Sequence, residues 1–326
     1  MKLNRFAAYA WGVAAYILAV IAWGAYVRAS GSGAGCGAHW PLCNGEVIPR
    51  APQIETLVEL THRVTSGLAG LLVLALLVWA IARYRRRADE RAGAVLWASV
   101  ASSFFIITEA LIGAGLVLFE YVADNASTAR AVWMAVHLVN TFLLMASLAL
   151  AAWWASGGAP LRLRGQGRTG LLFASAVAGA LLLAVSGAVA ALGDTLNPAA
   201  SLAEGLRQDF SPTASALVRL RLLHPTLAAA VGILLLFTAS HASAARPGAW
   251  VKRLSLALAA LVVAQVAVGL ANVALLAPIW LQLVHLLLAD LMWLSLVLLA
   301  ASALSVRAES EQRSAAPVEL PSAVEL

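Results

Sequence analysis

Eight stretches of this chain stay apolar for about 20 residues or more, the length an α-helix needs to cross about 30 Å of hydrocarbon. They lie near residues 7–27, 57–82, 94–119, 130–155, 169–192, 216–242, 250–276 and 280–305. In lipid a backbone must satisfy its own hydrogen bonds, so runs of this length are helices. The chain reads as an all-α integral membrane protein. Composition agrees, since 62% of the residues are hydrophobic and only 12% charged, outside the range of a soluble domain. The first run follows Lys2 and Arg5 as a signal peptide would. It is long for such a segment and has a counterpart later in the chain, so it reads as a helix.

The net charge of +6 is a topology signal. With the N-terminus in the cytoplasm, 15 of the 22 Lys and Arg residues fall on the inner side: Lys2, Arg5, the Arg83–Arg91 cluster, Arg162, Arg164, Arg168, Arg246, Lys252, Arg253, Arg307 and Arg313. That satisfies the positive-inside rule and excludes nucleic acid as the reason for the charge. The expected protein is a multi-pass cell-membrane protein with both termini cytoplasmic and membrane lipid around it. Its residues 307–326, rich in Glu, Ser, Ala and Pro, read as a disordered cytoplasmic tail.

The two halves of the chain overlay. TSGLAG after His62 matches TLAAAVG after His224, WGAYVRASG at Trp23 matches SGAVAALGD at Ser186, and EALIGAGLV at Glu109 matches QVAVGLANV at Gln265. Each half is then a four-helix bundle, residues 1–156 and 169–306, joined by a Gly, Pro and Arg linker at 157–168. Four crossings return a chain to its starting side, so the two units share one orientation, related by a pseudo-twofold along the membrane normal.

Four of the six histidines, His62, His137, His224 and His285, lie in the second, fourth, sixth and eighth runs. All four are near the outer ends, so the imidazoles share one depth towards the extracytoplasmic face. A single intramembrane histidine is more often a bond between helices than a ligand, but four at matching places point to a cofactor. Zinc wants three or four ligands, and no cysteine or carboxylate completes a set. Haem needs one or two axial ligands and fits flat between helices. His62 with His137 forms one expected haem site, and His224 with His285 the other. Arg63, Arg130, Arg219 and Arg221 stand beside the histidines. They are candidates for haem propionates, whose two oxygens suit a guanidinium fork; snorkelling to the interface would place them there equally well.

The halves differ at one telling position. Glu59 precedes His62 by three residues, on one helical face, whereas three residues before His224 stands Arg221. A carboxylate beside a haem can accept a proton or stabilise positive charge developing on a substrate. Glu109 lies inside the third run and matches Gln265; the position calls for a hydrogen-bonding group, and Glu109 reads as neutral and structural. Asp290, beyond His285, reads as orienting a neighbour.

Cys36 and Cys43, the only cysteines, sit in GCGAHWPLCNG (35–45) between the first two runs. On the outer side thiols oxidise. A Cys36–Cys43 disulfide closing so small a ring contributes roughly 2–3 kcal/mol in the chain-entropy model. Zinc on Cys36, His39 and Cys43 would lack a fourth ligand, and thiol exchange remains open to an exposed disulfide.

The E-x-x-H of Glu59 and His62, the single histidines His137, His224 and His285, the repeated four-helix unit and the loop C-x-x-x-W-P-L-C-N-G together resemble the haem A synthase family. The resemblance spans nearly the whole chain before the tail. It implies a haem b held by His224 and His285 and a farnesylated haem O substrate facing His62 and His137, with Glu59 as the catalytic carboxylate. The implied enzyme is an oxidoreductase acting on a CH group. It would convert a methyl of haem O to a formyl by successive hydroxylations, giving haem A for a terminal oxidase. Haem O synthase is the implied partner, an electron acceptor is required, and a homo-oligomer stays open. Two features depart from many members: His39 stands where an acidic residue precedes Trp-Pro, and the loop at 193–215 has no second cysteine pair. The competing reading is a di-haem cytochrome that only transfers electrons, which would place haems towards opposite faces. A transporter would show helices broken at the midplane, and none is evident.

Overall fold

In a computed structural model, residues 3–305 are described; the expected tail at 307–326 lies outside them. Among the described residues eight helices are long and apolar enough to cross a membrane, as fits a multi-pass membrane protein. They are α1 (Arg5–Ala29), α2 (Ile54–Arg86), α3 (Glu90–Leu118), α4 (Thr128–Ala155), α5 (Gly167–Leu196), α8 (Leu223–Ala245, extended by α7, Ala216–Arg221), α9 (Ala249–Ala274) and α10 (Ile279–Ala303), with a short α6 (Leu202–Asp209) between α5 and α7. Side-chain oxygens fix several starts: Asn4, Asp89 and Ser127 accept the free backbone N–H groups of Ala7, Ala92 and Arg130, the usual capping contribution.

Two features were not foreseen. The sixth span breaks at Leu222, where α7 ends and α8 begins. Pro225 explains it, because its ring lacks an N–H and clashes with the carbonyl four residues earlier, which belongs to Arg221. The break lies near the end of the span and not at its middle. The loop at 193–215 also contains α6, whose Leu202 and Leu206, with Phe210 just beyond its end, form an exposed apolar stripe at helical spacing.

Helices α1 to α4 pack in a closed ring, α1 on α2, α2 on α3, α3 on α4 and α4 back on α1. Helices α5, α8, α9 and α10 do the same in their own order. The rings meet where α4 lies against α5 and α10, and α1 against α10. Half of the apolar window of α4 is buried, against 17–33% for the other spans, so α4 is the centre of the molecule. At the seam Trp293 of α10 stacks on Phe142 of α4 at 5.2 Å, and its indole N–H donates to the Phe142 carbonyl at 2.7 Å. The linker closes the far end of the seam: the Arg162 N–H and the Gln166 amide both donate to the Leu304 carbonyl.

Both α3 and α9 are followed by a left-handed residue that is not glycine, Glu120 (φ 56°) and Leu276 (φ 59°). These occupy the same place in the two matched segments, 11 residues beyond Glu109 and Gln265. The repeat extends from side chains to backbone conformation.

Candidate functional site

The four histidines lie towards the end of the rings that carries the Cys36–Cys43 loop, and each faces a glycine on a neighbouring helix. A Cβ added at Gly24 of α1 would fall 2.8 Å from His62 Cε1, and one at Gly187 of α5 would fall 3.0 Å from His224 Cε1. At Gly113 of α3 and Gly269 of α9 the corresponding distances are 4.0 Å to His137 and 3.2 Å to His285. At Gly24, Gly187 and Gly269 a Cβ would crowd the imidazole, whereas at Gly113 it would only touch it. These glycines occur at matching positions of the repeated segments, a signal present in the sequence that the histidine pattern alone did not expose.

The His224 and His285 ring centroids are 6.5 Å apart. Two imidazoles bonded to opposite sides of one metal through nitrogen, at about 2.0–2.1 Å each, bring their centroids to about that separation. The hydroxyl of Ser186 donates to the Leu183 carbonyl at 2.7 Å and stands 2.9 Å from His224 Nδ1. With its single proton on the Leu183 carbonyl, the hydroxyl is free to accept an Nδ1–H of His224, the tautomer in which Nε2 keeps its lone pair. Nδ1 of His285 is buried without a hydrogen-bond partner among the described residues, and Nε2 lies 3.4 Å from the Gln265 amide nitrogen. Two imidazoles at this separation with a glycine beside each ring suit a haem. In the other ring of helices, His62 Nδ1 and His137 Nδ1 are likewise buried without hydrogen bonds among the described residues.

Glu59 is 4% exposed and belongs to the loop as much as to its helix. Its Oε2 accepts the Cys36 N–H at 2.8 Å; its Oε1 accepts Arg63 Nη2 at 2.5 Å and Nε at 3.1 Å. Arg63 Nη1 in turn donates to the carbonyls of His39 (2.7 Å) and Leu42 (2.6 Å). The disulfide between Cys36 and Cys43 is formed, with both residues buried, and the Trp40–Pro41 peptide is cis. Gly35 rests directly on the first turn of α2, where Thr56 donates to its carbonyl at 2.8 Å. The loop is thus clamped over α2 by Thr56, Glu59 and Arg63. A disulfide leaves no thiolate for zinc, which closes that alternative.

The arginines expected at propionates are each bound to protein groups. Arg63 holds Glu59 and the loop. Arg130, 3% exposed, donates to the carbonyls of Ala123 and Asn125. Arg219 donates to the Pro212 carbonyl at 2.5 Å. Arg221 pairs with Asp194 (3.2 Å) and Asp209 (2.7 Å). The contrast of a carboxylate in one half with a cation in the other is therefore corrected: both halves carry an Arg–carboxylate pair near the histidines, and they differ in which partner the sixth span supplies. Arg28 went unnoticed in the sequence; from α1 it donates to Ala191 O (3.2 Å) and Thr195 Oγ1 (2.9 Å) of α5 and to Gln282 Oε1 (3.0 Å) of α10, tying the rings together at this end. Asp290 is 2% exposed, and its Oδ1 has no hydrogen-bond partner among the described residues. Glu109 is more than a local prop: its oxygens accept from Thr141 and Asn140, and Oε1 lies 3.3 Å from His137 Nδ1.

Residues 7–297 match the family described as cytochrome oxidase assembly protein. The chain is similar to a protein named "Protoheme IX farnesyltransferase" in Thermus thermophilus, 53% identical over 317 residues, covering 97% of this chain and 50% of that protein. It is also similar to proteins named "Heme A synthase" in Alkalihalophilus pseudofirmus, 45% identical over 103 residues (32% of this chain, 33% of that protein), and in Halalkalibacterium halodurans, 45% over 100 residues (31% and 32%). The chain thus spans about half the length of the Thermus relative.

Proposed function

The chain belongs to the cytochrome oxidase assembly protein family, and from that premise we propose that it is a haem A synthase. It would oxidise a methyl group of haem O through two successive hydroxylations, each passing two electrons to an external acceptor, the doubly hydroxylated carbon then losing water to leave the formyl group of haem A. The observation that carries the reading is the apposition of His224 and His285, together with a glycine beside each of the four histidine rings, set within two four-helix rings whose polar surroundings differ.

His224 and His285 would hold haem b, which when bound supplies one-electron transfer. Ser186 fixes the tautomer of His224 there, and Gly187 and Gly269 make room for the imidazoles. His62 and His137 would receive the substrate, haem O. Glu59, one turn from His62, is the carboxylate nearest that site on its own helix. It would take up a proton or stabilise positive charge as the methyl carbon is oxidised. Arg63 and the Cys36 N–H keep its oxygens fixed, so the carboxylate need not reorganise. The disulfide loop then acts as a cover over the substrate half. The orientation proposed puts this end of the rings on the extracytoplasmic side, with both termini in the cytoplasm of a cell-membrane protein.

The Thermus relative gives a specific reason for the partner. A chain about twice as long carries the name of a protohaem IX farnesyltransferase, and an enzyme that farnesylates protohaem would supply this substrate. Haem O synthase is the proposed partner, with substrate passing between two membrane sites.

The test is extraction and chromatography of haems from cells with and without the chain, and with Glu59→Ala. Haem A should appear only with the intact chain. The Glu59→Ala protein should keep its haem b and accumulate haem O or a hydroxymethyl intermediate. Normal haem A production by Glu59→Ala would refute the role of the carboxylate, and identical haem profiles with and without the chain would favour a carrier of electrons.

A further inference from the structure

The two rings treat their fourth-helix histidines differently. Glu109 of α3 lies inside a span, where an ionisable side chain is costly and usually has a task. Four side chains of α3 and α4 form a network there. The Thr141 hydroxyl donates to Glu109 Oε1; Asn140 Nδ2 donates to Glu109 Oε2 at 2.5 Å and to the Phe105 carbonyl at 2.8 Å; the Thr108 hydroxyl donates to Asn140 Oδ1 at 2.7 Å. His137 Nδ1 is 3.3 Å from Glu109 Oε1, within ion-pair distance, and makes no hydrogen bond among the described residues.

The matched segments remove every part of this network from the second ring. Counting from the paired residues Glu109 and Gln265, and from His137 and His285, the partners of Thr108, Asn140 and Thr141 are Ala264, Leu288 and Ala289. What is left is one amide, Gln265, at 3.4 Å from His285, and its Oε1 is buried without a partner among the described residues. The second ring packs its α9 against α10 without any of these groups.

We propose that Glu109 is the positioning residue for His137 as a ligand of the substrate haem. Thr141 and Asn140 hold its carboxylate still; Oε1 takes the Nδ1–H of His137, which turns the other ring nitrogen, with its lone pair, towards the substrate iron. A histidine whose Nδ1 is backed by a carboxylate is also a stronger donor than one without such a partner; His285 Nδ1 has none among the described residues, and the Gln265 amide nitrogen stands at its Nε2 instead. The substrate site therefore has the more strongly donating ligand and the resident site the weaker one. Stronger donation favours the oxidised iron, so the haem at His62 and His137 has a lower reduction potential than the haem at His224 and His285. This inference rests on the reading of His62 and His137 as the haem O site.

The experiment loads the full-length protein, purified in detergent with its haem b, with increasing haem O. It follows uptake and then the reduction potential of each haem, in the wild type and in Glu109→Leu, Glu109→Gln and His137→Ala. Loss of an outer-sphere partner typically weakens metal binding about 10- to 100-fold, which is the loss expected for Glu109→Leu with haem b content unchanged. Glu109→Gln keeps an acceptor oxygen without the charge; it should restore uptake to within about threefold and raise the potential of the haem O site alone. His137→Ala checks the underlying reading: if it leaves haem O uptake intact, the substrate site lies elsewhere and the role of Glu109 falls with it. If His137→Ala abolishes uptake while both Glu109 variants keep the wild-type affinity and potential, the site stands and the positioning role is refuted. Should Glu109→Leu lose haem b as well, the potential in Glu109→Gln decides.

Discussion

Replacing Arg63 by Leu should open the cysteine loop. The side chains of Arg63 and Glu59 are only 11% and 5% exposed, so their contacts are little screened by water. Arg63 supplies two charge-assisted hydrogen bonds to the loop, to His39 O at 2.7 Å and Leu42 O at 2.6 Å. Such bonds contribute about 1.5–3 kcal/mol each when buried; these two lie on the exposed side of the residue, so about 2–3 kcal/mol for both is the appropriate figure. Cys36 and Cys43 are 0% and 1% exposed, so a reductant reaches the disulfide only after the loop lifts. At 1.36 kcal/mol per factor of ten, the opening equilibrium, and with it the reduction rate, should rise about 30- to 150-fold. The leftover Glu59 charge adds to this, because removing one member of a buried pair costs more than the pair contributes. The assay is the rate of disulfide reduction by a water-soluble phosphine in detergent, read by alkylation of the freed thiols. Arg63→Lys keeps the charge but not the fork and should fall between. Arg253→Leu, beside Trp250 at the other end of the rings, should match wild type. A rate for Arg63→Leu within threefold of wild type would show that Arg63 does not hold the loop.

Two further outcomes follow from packing. Gly187→Leu would set a side chain 3.0 Å from the His224 ring; haem b content should fall to a minor fraction with helix content unchanged by circular dichroism, while Gly67→Leu, where a Cβ meets nothing within 4 Å, keeps its haem. Trp293→Ala loses the stack on Phe142 and the hydrogen bond to its carbonyl. The cost should be about 3–5 kcal/mol, as for other buried Trp truncations, read as unfolding at lower SDS fraction; an unchanged midpoint would mean the seam is held elsewhere.

Much of the architecture was legible because a bilayer acts on each segment separately. All eight spans coincide with the apolar runs to within a few residues, apart from longer ends such as Arg83–Arg86 of α2. The break at Leu222 could have been read from Pro225, whose effect on the preceding turn is local. The Glu59–Arg63 pair was legible too, as an i, i+4 spacing on one helix, yet the sequence suggested a ligand for Arg63 where the structure gives it Glu59 and two loop carbonyls. Arg28 offered no such clue. Its partners Ala191, Thr195 and Gln282 are more than 160 residues away, and nothing local distinguishes it from an arginine snorkelling to the interface.

The sequence by itself determined that the chain carries eight helices long and apolar enough to cross a membrane, and that four of its histidines fall near the starts of alternate helices. These follow from periodicity and from the cost of unsatisfied backbone in lipid, both of which are written along the chain. Only the tertiary structure decided which helix faces each histidine, that a glycine stands at every one, and that Glu109 stands beside His137 while Gln265 stands beside His285. The physical reason lies in the solvent. Lipid tails are as apolar as the helices, so burial does not choose partners between them. The choice falls to small residues that admit close approach and to a few polar contacts, whose geometry exists only once the helices have met.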